Sequence, residues 1–349
     1  MTARVLCIGD PHIQVSNIID IDLLILGIIT LAKEKLPDLI IVLGDVLHTH
    51  ERIHTIALNK AYEMIDKLRN IAKTYVLVGN HDMINNQVFL SENHWLSGMK
   101  EWNNTVIVDK VLSETVGGEK FIFIPYVPPG RFQEALNTLN EDWLNASCIF
   151  AHQEFAGCKM GAIISVEGDK WPLTYPHVVS GHIHSRQISQ ENIYYTGSAL
   201  QNAFGESEKN IIAYLSFEGK SYQREEVDLH LPRKKIIYMD VEDIDNYVIP
   251  DTEDTLKVTL SGNYDQFKAL KKTKKYKNLL DKGVKVIFKP KKIKANKKED
   301  SPTEIENECA DFQKILSSIV NAHKDPYLVR AYELIVNGKD VHIEDVMFL

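Results

Sequence analysis

Five short apolar runs, each followed at once by an unusual polar group, constrain the fold of this 349-residue chain more than any other feature. They are VLCI before GDPH, LIIVL before GDVLH, TYVLV before GNHD, CIF before AHQ, and VVS before GHIH. Runs of that length rich in Val, Ile and Leu predict buried strands. Helical periodicity at 20–36 and 53–73 separates the early ones, so strand, loop and helix repeat and predict an α/β core. In such cores ligands gather in the crevice beyond the carboxyl ends of the strands, where all five polar groups fall.

From about Phe121 the pattern becomes richer in strands, with FIFIPYV, NIYYTGS and NIIAYLSF bounded by Gly, Pro, Asn and Ser. A boundary is expected near LPRKK at 231–235, giving a first domain over 1–235. Beyond it IIYMDV and TLKVTLSG read as strands, 264–283 as one helix and VKVIFK as a third strand. They predict a small basic α/β module over 236–290. Residues 291–300 read as a linker, and 301–349 as a helical tail that binds a partner. In that tail SPTE at 301–304 offers an N-cap, a first-turn Pro and a Glu at the third position. Ile305, Cys309, Phe312, Leu316 and Ile319 follow at seam spacing. A second helix is expected from Pro326 to Asn337, with Leu328, Ala331, Tyr332 and Ile335 on one side.

The net charge of −8 excludes a uniformly basic nucleic-acid binder, but the charge is unevenly spread. Lys268 to Lys298 holds 14 Lys against the single Asp281, a local +13, which leaves −21 for the rest. Such a block is a solvated face or a phosphate-contacting surface. Cys7, Cys148, Cys158 and Cys309 show neither CxxC spacing nor disulfide-scaffold density, which predicts an intracellular, reducing location, cytoplasmic or nuclear. The expectation is a chain that is not secreted. The apolar stretch LLILGIITLA at 23–32 is shorter than the roughly 20 residues that cross a bilayer, so no membrane association is expected.

The strand-end residues are Asp10, His12, Asp45, Asn80, His81, His152, His182 and His184. Carboxylate, amide and imidazole donors without thiolate suit Mn²⁺, Fe²⁺ or Zn²⁺ in a catalytic rather than a structural site. They are too many for one ion. Two divalent ions about 3.5–4 Å apart, sharing a bridging carboxylate, would use the set and could clamp a phosphoryl centre from both sides. Asp45 is the natural bridge.

GDPH, GDVLH, GNHD, AHQ and GHIH, in that order, resemble the signature of calcineurin-like metallophosphoesterases. The resemblance implies a layered α/β/β/α core, two packed mixed sheets flanked by helices, with the small α/β capping module and the helical C-terminus appended. It implies that Asp10, His12 and His184 hold one metal, that Asn80, His152 and His182 hold the other, and that Asp45 bridges. It makes His81 the catalytic imidazole, protonating the leaving alkoxide, with Asp82 orienting it.

Three features are similar to the SbcD-type nuclease subunits of DNA double-strand-break repair complexes. One is His48, three residues after Asp45, which the resemblance adds to the catalytic set. Another is YTGSALQNAFGESEKN at 195–210, similar to their GS…FGE segment. The third is the capping-like module itself. The segment AHQEFAGCKMG is similar to versions encoded by phages and large DNA viruses. Two departures are IQVSN after GDPH and the shortness of the module. The resemblance implies a Mn²⁺-dependent nuclease, exonucleolytic on duplex ends and endonucleolytic on single strands, with DNA and an SbcC-type ATPase subunit as partners. It also implies a homodimer, for which Val88, Trp95, Met99 and Trp102 on a helix at 85–102 would supply the face. Two rival readings are a metallophosphoesterase of small-molecule or protein phosphoesters, and a non-catalytic scaffold binding DNA and a partner.

Overall fold

The computed structural model describes residues 2–50 and 52–291, and beyond them only 316–317, 319–321, 328–329 and 332. The chain divides into two compact units, Met1–Lys291 and Lys292–Leu349. All of the expected linker beyond Lys291 and most of the expected tail, with Cys309 and the seam residues Ile305 and Phe312, lie outside the described residues.

In chain order the first strands are β1 (Ala3–Ile8), β2 (Leu39–Val42), β3 (Lys73–Leu77), β4 (Thr105–Val108), β5 (Leu112–Val116), β6 (Glu119–Phe123) and β7 (Cys148–His152). A two-stranded hairpin follows, β8 (Lys159–Met160) and β9 (Ile163–Ile164), then β10 (Val178–Gly181), β11 (Gln187–Gln190) and β12 (Ile193–Tyr195). β13 (Ile212–Glu218) and β14 (Ser221–Val227) complete the core. Helices α1 (Ile18–Lys35) and α2 (Thr55–Arg69) connect β1 to β2 and β2 to β3.

Two six-stranded sheets result, in the orders β14-β13-β1-β2-β3-β4 and β11-β12-β10-β7-β6-β5. β1 to β4 run parallel and β13 joins β1 antiparallel, while β5 joins β6 antiparallel and β6 joins β7 parallel, so each sheet is mixed. Side chains on a strand alternate between faces, and here both faces are buried. Val5, Cys7, Leu39, Ile41 and Tyr75 meet Phe121, Phe123, Cys148 and Phe150 of the other sheet. Leu6, Ile8, Ile40 and Val42 point the other way, against Ile21, Leu24, Ile28, Ala61 and Ile65 of α1 and α2. The outer face of the second sheet, Ile122, Ile149 and Val178, packs on Phe132, Trp143 and Trp171. The core is therefore the layered α/β/β/α arrangement, and it explains why the strands read as continuous apolar runs.

Helix α1 and the turn before it, Val15–Lys35, are apolar and long enough to cross a membrane by length and composition alone. The helix continues past the 23–32 stretch, and Ile21, Leu24, Ile25, Ile28, Leu31 and Ala32 are buried against the first sheet. Cys7, Cys148 and Cys158 are free and buried.

The small module is a parallel sheet of β15 (Lys234–Asp240), β16 (Thr255–Gly262) and β17 (Lys285–Pro290), with its own core of Val241, Leu256, Val258, Leu260, Phe267 and Leu279. The single helix expected over 264–283 is instead two, Tyr264–Leu270 and Lys274–Asp281. Thr273 explains the break. Its hydroxyl accepts from Tyr276 N at 3.2 Å and caps the second helix, which takes Thr273 out of helical backbone.

The helix expected over 85–102 is also absent, and only the short 3-10 turn Trp95–Met99 forms. Trp95 donates its indole N–H to Asp82 at 2.8 Å, Met99 is fully buried, and Val88 and Trp102 pack on the same core. These four side chains are thus engaged by the chain's own interior.

Candidate metal centre and active site

Strands β1, β2, β3, β7 and β10 all end at one edge of the two facing sheets, and each delivers its polar group there. Several of the delivered residues sit in left-handed backbone, which L-residues adopt at a cost: Asp10 (φ 37°), His12 (φ 46°), Asp45 (φ 49°) and His182 (φ 78°). The sharp turns aim the side chains back across the strand ends. Gly44 (φ 99°) and Gly79 make the closeness possible. A Cβ on Gly44 would stand 2.5 Å from His152 Nδ1, and one on Gly79 would stand 2.3 Å from both the backbone N and Oδ1 of Asp45.

The expected ligands fall into two groups with Asp45 between them. His12 Nε2 and His184 Nε2 face each other at 2.8 Å. Asn80 Oδ1 lies 3.0 Å from His152 Nε2 and 2.9 Å from His182 Nδ1. Asp45 Oδ2 is 3.7 Å from His12 Nε2 and 3.3 Å from His152 Nε2, so it reaches both groups. Asp10 is fully buried. Its Oδ1 accepts from the backbone N–H of His182 at 2.8 Å, and its Oδ2 is buried with no hydrogen-bond partner.

A buried carboxylate oxygen without a donor is costly unless a cation meets it. Two of the imidazoles fit the same conclusion. Burial pushes His182 down to about 3 and His12 well below its ordinary value, so both present lone pairs rather than charge. Burial lifts Asp10 to about 6, against the pull of His152 and His184. Burial would also lift Asp45, but the His152 charge and hydrogen bond, with His12 and His81, hold it well below the carboxylate range. The donor set suits two divalent cations. Among the described residues, donor atoms of His12, Asp45 and His81, and of Asp45, His152 and His182, lie within 4.8 Å of one another.

In His152 and His184 the ring nitrogen that faces away from the cluster is fixed by an acceptor, which sets the tautomer. His152 Nδ1–H donates to Leu43 O at 2.7 Å. His184 Nδ1–H donates to Glu206 Oε1 at 3.0 Å, and Glu206 Oε2 accepts from Asn202 N and Ala203 N at 2.8 and 2.9 Å. Glu206 is a residue of this cluster that sequence reasoning passed over, although it is the last letter of the FGE segment already singled out.

His81 donates Nδ1–H to the carbonyl of His48 at 2.7 Å, and its own backbone N–H donates to Asp45 Oδ1 at 2.8 Å. The expectation that Asp82 orients His81 is corrected by this geometry. The buried Asp82 carboxylate accepts from Gly79 N (3.0 Å), Val46 N and Leu47 N (both 3.3 Å) and Trp95 Nε1 (2.8 Å). It ties the second and third motif loops together, and His48 holds the imidazole through its backbone. The His48 ring also lies parallel to His81 at 5.7 Å, and its Nδ1 is 3.4 Å from His12 Nδ1. His50, which carried no role in the sequence reading, stacks closer on His81, at 4.6 Å.

Among the described residues, two clefts lie beside this cluster and share no lining residue. One, of about 550 Å³, is lined by His48, Thr49, His50, Ile84, Asn85 and Asn86. The other, of about 430 Å³, includes Lys159, Met160, His182, His184, Phe204 and Glu206. The buried His12 lines neither, but its Nδ1 faces His48 of the first and its Nε2 faces His184 of the second.

Residues 3–186 match the family model described as calcineurin-like phosphoesterase. The chain belongs to that family. Its chemistry is therefore the hydrolysis of phosphoesters at a dinuclear metal site, which the converging donors are suited to hold. The chain is 49% identical over 290 residues to "Putative phosphoesterase 078R" of Invertebrate iridescent virus 3, covering 82% of this chain and 84% of that protein. It is 48% identical over 277 residues to "Putative phosphoesterase 244L" of Invertebrate iridescent virus 6, covering 78% and 98%. Among solved structures, the purple acid phosphatase PPD1 of yellow lupin matches 65% of this chain and 52% of its own, at 12% identity and a TM-score of 0.41.

Proposed function

We propose that this calcineurin-like phosphoesterase is a Mn²⁺-dependent DNA nuclease that cuts phosphodiesters as the nuclease subunit of an SbcCD-like repair or recombination complex. The observation that carries the reading is the pair of clefts, one walled by His48 and the other by His184, the two imidazoles that contact the buried His12 ring from opposite nitrogens. A phosphodiester within a polymer has a substituent on both sides of the scissile phosphorus, whereas a monoester needs room on one side only. The Lys-rich 268–298 segment adds to it, since each neutralised phosphate contributes to duplex affinity and a small substrate needs no such stretch.

Asp10, His12 and His184 would hold one cation, Asn80, His152 and His182 the other, with Asp45 shared. The cations, when bound, polarise the phosphoryl oxygens and raise the acidity of a water. His81 does the proton work. With Nδ1–H anchored on His48 O, its Nε2 is the exchanging atom, and it delivers a proton to the leaving alkoxide. His50 and His48 lie parallel to its ring and limit its rotation.

Purified protein with Mn²⁺ is assayed on labelled DNA beside a generic phosphodiester and a phosphoprotein. Cleavage of DNA with the highest kcat/KM is expected. A preference for the phosphoprotein, with DNA untouched, would overturn the nuclease reading and favour the protein phosphatase alternative. An SbcC-type ATPase would govern access to duplex ends. Deleting 301–349 should then abolish ATP-stimulated duplex digestion by the pair while Mn²⁺-dependent cleavage of single strands persists, and undiminished stimulation would refute that partnership.

A further inference from the structure

We infer that Phe204, with Lys257 and Lys285 of the small module, forms a subsite that stacks a nucleobase and neutralises its phosphate beside His184; this rests on the nuclease reading. Phe204 lines the cleft that contains His182 and His184, and its side chain is half-buried. It is two residues from Glu206, whose carboxylate holds the His184 imidazole with one oxygen and the backbone N–H groups of Asn202 and Ala203 with the other. The same segment is anchored to the first motif, since Ala199 N donates to Gly9 O at 2.7 Å. The aromatic ring is thus placed at a fixed offset from a metal ligand.

The ammonium groups come from a different part of the chain. Lys257 on β16 and Lys285 on β17 are register partners in the parallel sheet, so they stand side by side. Their Nζ atoms lie 4.5 and 5.4 Å from the centroid of the Phe204 ring. Neither makes an ion pair with a carboxylate among the described residues, in contrast to Arg186, Lys209 and Arg224 nearby, which converge on Glu226. A half-buried aromatic ring in cation–π contact with two lysines that no carboxylate pairs among the described residues, in the wall of a cleft at a phosphoesterase centre, is the composition of a single-strand binding groove, where bases stack and lysines follow the backbone. An inorganic phosphate or a phosphopeptide would meet the lysines and gain nothing from an aromatic ring in the cleft wall.

The test is binding of a 5′-fluorescein single-stranded oligonucleotide to the full chain by anisotropy, with Ca²⁺ replacing Mn²⁺ to suppress turnover. The intact strand is compared with strands carrying an abasic residue at each position in turn. Phe204→Ala should weaken binding of the intact strand by roughly 5- to 150-fold, the range for loss of one base stacked on an aromatic, and Phe204→Trp should restore it. One abasic position should cost the wild type a similar factor and cost Phe204→Ala nothing further. Lys257→Ala with Lys285→Ala should lower the slope of log affinity against log salt by about 1.4, the value for two single-strand phosphates. If Phe204→Ala weakens intact and abasic strands equally at every position, the ring only supports the Glu206 loop and the subsite is refuted while the nuclease reading stands. If the wild type binds and cuts no oligonucleotide yet hydrolyses a small phosphodiester, the nuclease reading fails and the subsite falls with it.

Discussion

Glu206→Gln is the most discriminating single change, because the carboxylate serves three donors through two oxygens. Oε1 takes His184 Nδ1–H at 3.0 Å, and Oε2 takes the backbone N–H groups of Asn202 and Ala203 at 2.8 and 2.9 Å. A carboxamide has one acceptor oxygen, so its NH₂ must face either the imidazole or the two backbone donors. If it faces His184, the ring loses its anchor and its fixed tautomer, and a charge-assisted bond of about 1.5–3 kcal/mol goes with it. If it faces the loop, two N–H groups lose their acceptor at about 1–3 kcal/mol each, and the segment that carries Phe204 loosens. The first case converts to roughly 10- to 150-fold in metal affinity, which overlaps the roughly 10- to 100-fold typical of removing a group that orients a ligating histidine. Mn²⁺ titration by calorimetry should show one of two ions weakened by that factor and the other little changed, since Glu206 touches neither Asn80, His152 nor His182. Two unchanged ions together with an unchanged melting temperature would refute the reasoning, and so would equal loss of both.

His81→Asn should keep the metal content and lower turnover by about 10²–10⁴-fold, as expected when a proton donor and no ligand is removed; loss of both ions in that variant would contradict its place beside the metals. Gly79→Ala drives a Cβ to 2.3 Å from Asp45 N and Oδ1, so it should displace the shared carboxylate and cost about 1–3 kcal/mol of stability, read as a lower urea midpoint and reduced Mn²⁺ stoichiometry. Replacing the exposed Lys271, Lys272 and Lys274 with Glu should weaken duplex binding and flatten its salt dependence by about 0.9 for each phosphate no longer neutralised, with hydrolysis of a small chromogenic ester as the control; equal damage to both would point away from this surface. Lys275 is left out because its ammonium donates to the carbonyls of Asp245 and Tyr247 and so helps to fold the module.

The layered core and the donor residues that converge at its edge were legible because both are written locally. A strand buried on two faces must be apolar throughout, and a residue that must face a cation from the end of that strand lies within a few positions of its last apolar residue, as Asp10 and His12 do after Ile8. What escaped the sequence depends on how distant segments meet. Trp95 has the spacing of an amphipathic helix, but its indole reaches Asp82 and the backbone around it is a short 3-10 turn, a choice no periodicity records. Asp82 is the sequence neighbour of His81, yet the N–H groups it serves include those of Val46 and Leu47, some 35 residues earlier. Glu206 stands 22 positions after His184 in a loop without periodicity, and only its place in a recognisable segment marked it. Thr273 is the opposite case, since its capping preference was present in the sequence and was overridden by the apparent continuity of a Lys-rich helix. The pattern has a physical basis. Ligands and strands are set by nearest neighbours, whereas the groups that orient those ligands are chosen by whichever segment the tertiary fold brings alongside, which is why the orienting carboxylate and the flanking imidazole His50 became visible only in three dimensions.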